Sequence, residues 1–149
     1  MTPPSRRAER GRAVARMLLS IAYLFVGIAH LRSPQTFLPI MPGWVPFPRE
    51  TILVTGLCEI AGAIALMTAR FRRLAGLMLA AYAVCVYPAN LKHAFDHVAI
   101  GGGRLGWWYH GPRLALQPVL VWWALYAGRV LDWPFGGTGD DGDGPFGRR

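Results

Sequence analysis

The stretch TILVTGLCEIAGAIALMTA, Thr51 to Ala69, decides the fold. It is an apolar run of helix length with one formal charge inside it, the carboxylate of Glu59. A helix of about 20 residues rises about 30 Å, the thickness of a bilayer's hydrocarbon core. The run shows no clean polar face at 3.6-residue spacing, as a helix on a soluble domain would. A carboxylate in hydrocarbon costs a few kcal/mol or more, so Glu59 needs partners or a task. Its helical neighbours Thr55, Gly56, Gly62 and Ala63 are all small. Small residues let another helix approach closely, so Glu59 is expected to face neighbouring helices and not lipid.

Three further apolar runs flank this one, at 14–30, 73–91 and 113–128. Folding the four up and down brings His30, Glu59, Asn90, Arg113 and Gln117 to one end. By helix rise, Glu59 lies about 12 Å below that end, and Gln117 about 6 Å below Arg113, with which it shares a face at i, i+4. The opposite halves of the runs (Met17 to Leu24, Ile64 to Thr68, Leu74 to Ala83, Val119 to Ala127) hold no ionisable group apart from tyrosine phenols and, at the edge, nothing that would line a polar path. The expected fold is therefore all-α, a four-helix transmembrane bundle, with a polar pocket opening outward and lined by those five residues as its ligand-binding set. No catalytic residue is assigned.

Composition agrees with one domain in a membrane. The 149 residues are 53% hydrophobic and only 16% charged, with the apolar residues in blocks. The formal charge of +8 is explained by placement. Eleven of the sixteen basic residues (Arg6, Arg7, Arg10, Arg12, Arg16, Arg70, Arg72, Arg73, Arg129, Arg148, Arg149) fall on one side of the runs, and Arg32, Arg49, Lys92, Arg104 and Arg113 on the other. Positive-inside bias then puts both termini in the cytoplasm and the 31–50 and 92–112 loops outside. With the charge so accounted for and no basic–aromatic groove pattern, nucleic acid is not an expected partner. The basic segment and the apolar run after it imitate a signal peptide, but no A-x-A-like site follows, and a retained first span is expected.

The domain reading is a disordered basic segment over 1–12, a four-span membrane domain over 13–131 and a disordered Gly/Asp-rich tail over 132–149. Between the first and second spans, five prolines in the sixteen residues 33–48 forbid a continuous helix. With Trp44 and two phenylalanines, that segment suits the outer interface, folded over the helix ends. Pro88 is expected to free the carbonyl of Val84 and loosen the end of the third run, and Pro118 to do the same to Leu114 in the fourth. Gly101 to Gly103 give slack before the interfacial Trp107, Trp108 and Tyr109, and resemble no phosphate-binding fingerprint.

The four histidines all fall on the outer side. His93 and His97 stand at i, i+4 with Asp96 beside them, a spacing that can bind Zn²⁺ or Cu²⁺, but no fixed third ligand accompanies them and no metal site is assigned. Cys58 and Cys85 lie at similar depth in neighbouring runs, which makes a bridge conceivable. Neither belongs to a Cys-x-x-Cys, and both read as small buried hydrophobes.

Several segments carry a family resemblance: Ala29-His30, Met41 to Pro48, Gly56-Leu57-Cys58-Glu59-Ile60-Ala61-Gly62, Arg72-Arg73-Leu74-Ala75, Tyr87-Pro88-Ala89-Asn90-Leu91-Lys92 and Arg113-Leu114-Ala115-Leu116-Gln117. In order and spacing the chain resembles the DoxX-like family of small four-helix bacterial membrane proteins, over about 14–128. The resemblance implies a multi-pass protein of the bacterial cytoplasmic membrane. Some relatives are linked to thiosulfate:quinone oxidation or to membrane-associated oxidative-stress complexes, and distant animal relatives act as membrane-protein chaperones or cargo receptors. It implies a quinone as the ligand of the outer pocket, in a chain that is at most a subunit of a membrane oxidoreductase. The competing expectation is a non-enzymatic scaffold or chaperone for another membrane protein. Expected partners are the bilayer, and a membrane protein or a second copy of the chain. A transporter is disfavoured by the lack of an inverted repeat and of a polar path through the inner half.

Overall fold

The computed structural model describes residues 6–96 and 106–133. The readings made for residues 1–5, His97, the Gly101–Gly103 triplet, Arg104 and the tail from 134 onward lie outside the described residues. Among the described residues every regular element is helical: α1 Arg6–Arg32, α2 Pro34–Phe37, a 3-10 turn Leu38–Ile40, α3 Pro48–Met67, α4 Arg72–Cys85, α5 Tyr87–Phe95, α6 Trp107–Ala115 and α7 Gln117–Ala127. Three stretches are long and apolar enough to cross a membrane, namely Arg6–Arg32, Pro48–Met67 and Arg72–Phe95.

Proline sets most of the breaks. Pro34 and Pro39 each open a short turn in the loop after α1, where a missing N–H costs nothing. The α4–α5 boundary falls at Val86, two residues before Pro88, and the α6–α7 boundary at Leu116, two before Pro118. Both breaks answer the sequence expectation. The second divides the fourth apolar run into pieces of 9 and 11 residues.

The start of α1 departs from expectation. Disorder was expected through residue 12, yet the helix begins at Arg6 and its first turns are packed. Arg12, 4% exposed, sends its guanidinium to the carbonyls of Tyr126 and Leu131 and to Asp132 Oδ1 at 2.6 Å, with its charge 4.5 Å from the Tyr126 ring centroid. Arg16 donates to the Ala127 carbonyl, and Glu9 pairs with Arg129. Across the way, Arg72 donates to the carbonyls of Leu66 and Met67. These arginines thus serve the C-terminal ends of α7 and α3, where unpaired carbonyls and the helix dipole both attract cations. We refer to this as the arginine end.

α1 lies against α3 and α7, and α4 touches both α3 and α7. The contacts run in opposite directions along each pair: Ala15 meets Trp123 and Arg12 meets Tyr126 between α1 and α7, while Glu59 meets Tyr82 and Gly62 meets Leu79 between α3 and α4. Neighbouring helices are therefore antiparallel. Two glycine pairs set the closest approaches. A Cβ on Gly27 would sit 2.8 Å from the Gly56 carbonyl oxygen, and one on Gly76 would sit 2.7 Å from the Gly128 Cα. Only glycine admits backbones this close.

The core built around these contacts is small-grained. Ala63, Ala75, Ala80, Ala124 and Ala127 join Leu19, Leu66, Leu79 and Tyr23. The large apolar side chains point outward instead, Phe25 at 75% exposure and Leu57, Ile64, Met78 and Val84 with it. Small residues inside and large hydrocarbon outside is the arrangement helices adopt when lipid surrounds them, because apolar packing against lipid is then as favourable as against protein. The distribution is compatible with a membrane protein. It also corrects the reading of the cysteines as buried: Cys58 and Cys85 are both free and on the outer surface.

Candidate functional site

The Gly27–Gly56 crossing positions the first part of the site. His30 follows Gly27 by three residues on α1, and Glu59 follows Gly56 by three on α3, so each sits one turn along the face that makes the contact. Helical side chains lean toward their own N-terminus. In an antiparallel pair that inclination turns His30 and Glu59 toward each other. His30 Nδ1 lies 2.7 Å from Glu59 Oε2, and the Tyr82 hydroxyl donates to Glu59 Oε1 at 2.8 Å. Glu59 is 3% exposed and the His30 side chain 14%. The carboxylate thus has a titratable partner on each oxygen, which offsets the several kcal/mol that burying it alone would cost. Tyr23 sets its ring against the edge of Tyr82, and Phe37 packs against the His30 ring from the proline-rich loop.

The second part forms around the α4–α5 break. Near it the backbone ladder fails, and the side-chain amide of Gln117 donates to the carbonyl of Ala83. Gln117 Oε1 accepts from Asn90 Nδ2 at 3.2 Å, and Asn90 Oδ1 accepts from Arg113 Nη2 at 2.7 Å. Arg113 Nη1 lies 3.1 Å from His93 Nδ1. A guanidinium can only donate, so this His93 nitrogen accepts and the ring carries its proton on Nε2. His110 packs edge-on against His93 at 4.6 Å between centroids, 1% exposed.

All five residues expected at one end are found there, but in two networks. His30 pairs with Glu59, while Asn90, Arg113 and Gln117 bond one another. Neither Gln117 nor Arg113 bonds to Glu59. Its partners are His30 and Tyr82. The networks adjoin through consecutive residues of α4, because Tyr82 serves Glu59 and the Ala83 carbonyl serves Gln117. The loop covers this end as expected, with Lys92 Nζ donating to the Pro39 carbonyl at 3.0 Å. We refer to it as the histidine end.

Sequence reasoning missed Tyr82, although its signal was the same as that of Glu59: a phenol inside an apolar run needs a hydrogen-bond partner. It also missed His93 as a partner of Arg113, having weighed that imidazole as a metal ligand. Asp96, its proposed neighbour in a metal site, pairs instead with Lys92 at 3.3 Å. Among the described residues no three metal-ligating side chains come together.

Fold and site define a small all-helical protein with three membrane-length helices and a buried glutamate held between an imidazole and a phenol. The chain belongs to DUF8561, a domain of unknown function, whose family model matches residues 19–127. Both side-chain networks lie within that range. No curated protein and no solved structure matches the chain.

Proposed function

We propose that the chain is a DoxX-like multi-pass protein of the bacterial cytoplasmic membrane, a four-helix transmembrane bundle with both termini in the cytoplasm, whose histidine end binds a small polar or amphipathic molecule. α6 and α7 together serve as the fourth span. A proline break within a span is tolerated where neighbouring groups satisfy the freed backbone, and Leu116 N–H still reaches the Pro112 carbonyl. The arginine end faces the cytoplasm by the distribution of basic residues.

The ligand favoured is a quinone headgroup. Its two carbonyls need hydrogen-bond donors, which Asn90, Arg113 and Gln117 carry, and its reduction consumes two protons. His30 and Glu59, sharing one hydrogen bond, can hold a proton and pass it to a headgroup oxygen, with Tyr82 fixing the carboxylate's orientation. The electrons would come from a partner oxidoreductase, of which this chain is a subunit. The observation that carries this reading is the His30–Glu59–Tyr82 arrangement. A group serving only to hold helices together needs no second titratable partner. In detergent-purified protein, quinone should quench the fluorescence of Trp44 or Trp107 saturably, and Glu59→Gln should abolish that while leaving thermal stability within a few degrees. Wild-type protein that neither retains quinone nor shows saturable quenching would sink the proposal.

One observation favours a second reading, a non-enzymatic scaffold or chaperone for another membrane protein. Both oxygens of Glu59 are already occupied within the chain. On that reading Glu59→Gln chiefly lowers stability or releases a co-purifying partner.

A further inference from the structure

A groove of about 580 Å³ runs between α1 and α7 at the arginine end, lined by Arg7, Ala8, Gly11 and Ala15 on one side and by Trp122, Trp123 and Tyr126 on the other. We propose that it is a binding site for an anionic phospholipid, with the phosphate on Arg7 and an acyl chain lying along Gly11 and Ala15. Arg7, Gly11 and Ala15 are spaced at i, i+4 and i+8, so they form one face about 12 Å long. The space exists because that face has almost no side chain beyond Arg7. Among the described residues nothing lies within 4 Å of where a Cβ on Gly11 would sit.

The opposite wall is apolar and fixed. Trp122 stacks on Tyr126 at 5.4 Å with 14° between the rings. Both indole N–H groups are already spent, Trp122 on the Trp133 carbonyl and Trp123 on the Ala15 carbonyl, so the two indoles offer apolar ring surface and no donor to an occupant. The nearby cations are also committed: Arg12 to Asp132 and backbone, Arg16 to Ala127, Arg129 to Glu9. Arg7 is exposed and makes no hydrogen bond or ion pair among the described residues, and Arg6 and Arg10 stand exposed in the same two turns. A free cation at the mouth of an apolar slot complements a molecule with an anionic head and a hydrocarbon tail. Neither half alone accounts for both features: a soluble anion has no use for the slot, and a neutral lipid none for the arginine.

The inference rests on the membrane placement but not on the ligand at the histidine end. Native mass spectrometry of the full chain from detergent tests it, with phosphatidylglycerol and phosphatidylcholine of matched chains as probes. Phosphatidylglycerol should be retained about tenfold more strongly. Arg7→Gln and Gly11→Leu should each weaken its retention about fivefold, whereas Arg73→Gln, the same charge change outside the groove, should not. Equal retention of the two lipids, or equal losses for Arg7→Gln and Arg73→Gln, would overturn the site in favour of diffuse attraction. Displacement of the lipid by inorganic phosphate alone would overturn it in favour of a simple anion. Should Gly11→Leu fail to fold, Arg7→Gln decides the matter against the same control. Quinone quenching in Arg7→Gln is expected to stay at the wild-type level, which keeps the two proposals separately testable.

Discussion

The two ends of the helices both bury charge, and they satisfy it by different means. At the arginine end, Arg12, Arg16 and Arg72 donate to backbone carbonyls where α3 and α7 stop, and acids such as Asp132 and Glu9 complete the pairing from the surface. At the histidine end, Glu59 is held by His30 and Tyr82, and Arg113 by Asn90 and His93. Carbonyls neither gain nor lose protons and an arginine stays charged, so the buried part of the first arrangement holds the helices. A carboxylate bonded to an imidazole can exchange a proton within the pair. The contrast therefore separates charges that cap from charges that can do chemistry.

The largest expected effect breaks the comparison if it fails. Glu59→Ala leaves a buried imidazole and phenol without an acceptor, and should cost about 3–5 kcal/mol of stability. Arg12→Met, its counterpart, removes a cation from helix-end carbonyls and leaves an acid, Asp132, that is exposed to solvent, and should cost about 1–2 kcal/mol. Thermal unfolding of both variants in the same detergent orders them. Equal losses would mean that the histidine end is as structural as the arginine end.

A second test concerns how His30 reaches Glu59. A side chain at Gly56 must displace the Gly27 carbonyl and the His30 Cβ, each 2.9 Å from the added Cβ position. Gly56→Val should lower stability by about 1–3 kcal/mol through overpacking. It should also part the His30–Glu59 pair, seen as loss of quinone quenching in protein that remains folded. Gly43→Ala, with no described residue within 4 Å of the added Cβ, should leave quenching unchanged.

Much of the histidine end was legible because its residues break a pattern. A carboxylate in an apolar run stands out, its four small neighbours say which way it faces, and Pro88 marks the break that Gln117 then serves. The arginine end was not legible, and the reason is physical. The acceptors of Arg12 and Arg16 are carbonyls of residues 126–131, more than a hundred positions away, and every residue has a carbonyl, so the pairing leaves no trace in residue types. Arginines ahead of an apolar run consequently read as a solvated tail, although two turns of α1 are built on them. The cysteines went astray for a related reason. When lipid-facing and core-facing positions are both apolar, the sequence has no polar face to tell one from the other, and Cys58 fits either side.

The smallest expected effect sharpens the comparison at the arginine end. Arg129 closes α7 with φ of 60°, a left-handed conformation, and the hydrogen bonds from Val130 N–H to the Leu125 carbonyl and from Arg129 N–H to the Tyr126 carbonyl complete the stop. Glycine adopts that conformation without the Cβ clash, a gain of about 1 kcal/mol. Against this stand the loss of the half-exposed pair with Glu9, worth up to about 1 kcal/mol, and the greater freedom of glycine in the unfolded chain. Arg129→Gly should therefore leave stability within about 0.5 kcal/mol of the wild type. Glu9→Gln made in that background should do nothing further, since its partner is already gone. A large loss from Arg129→Gly would mean that the ion pair does more than the backbone it sits on, and that capping alone does not explain the charges at this end.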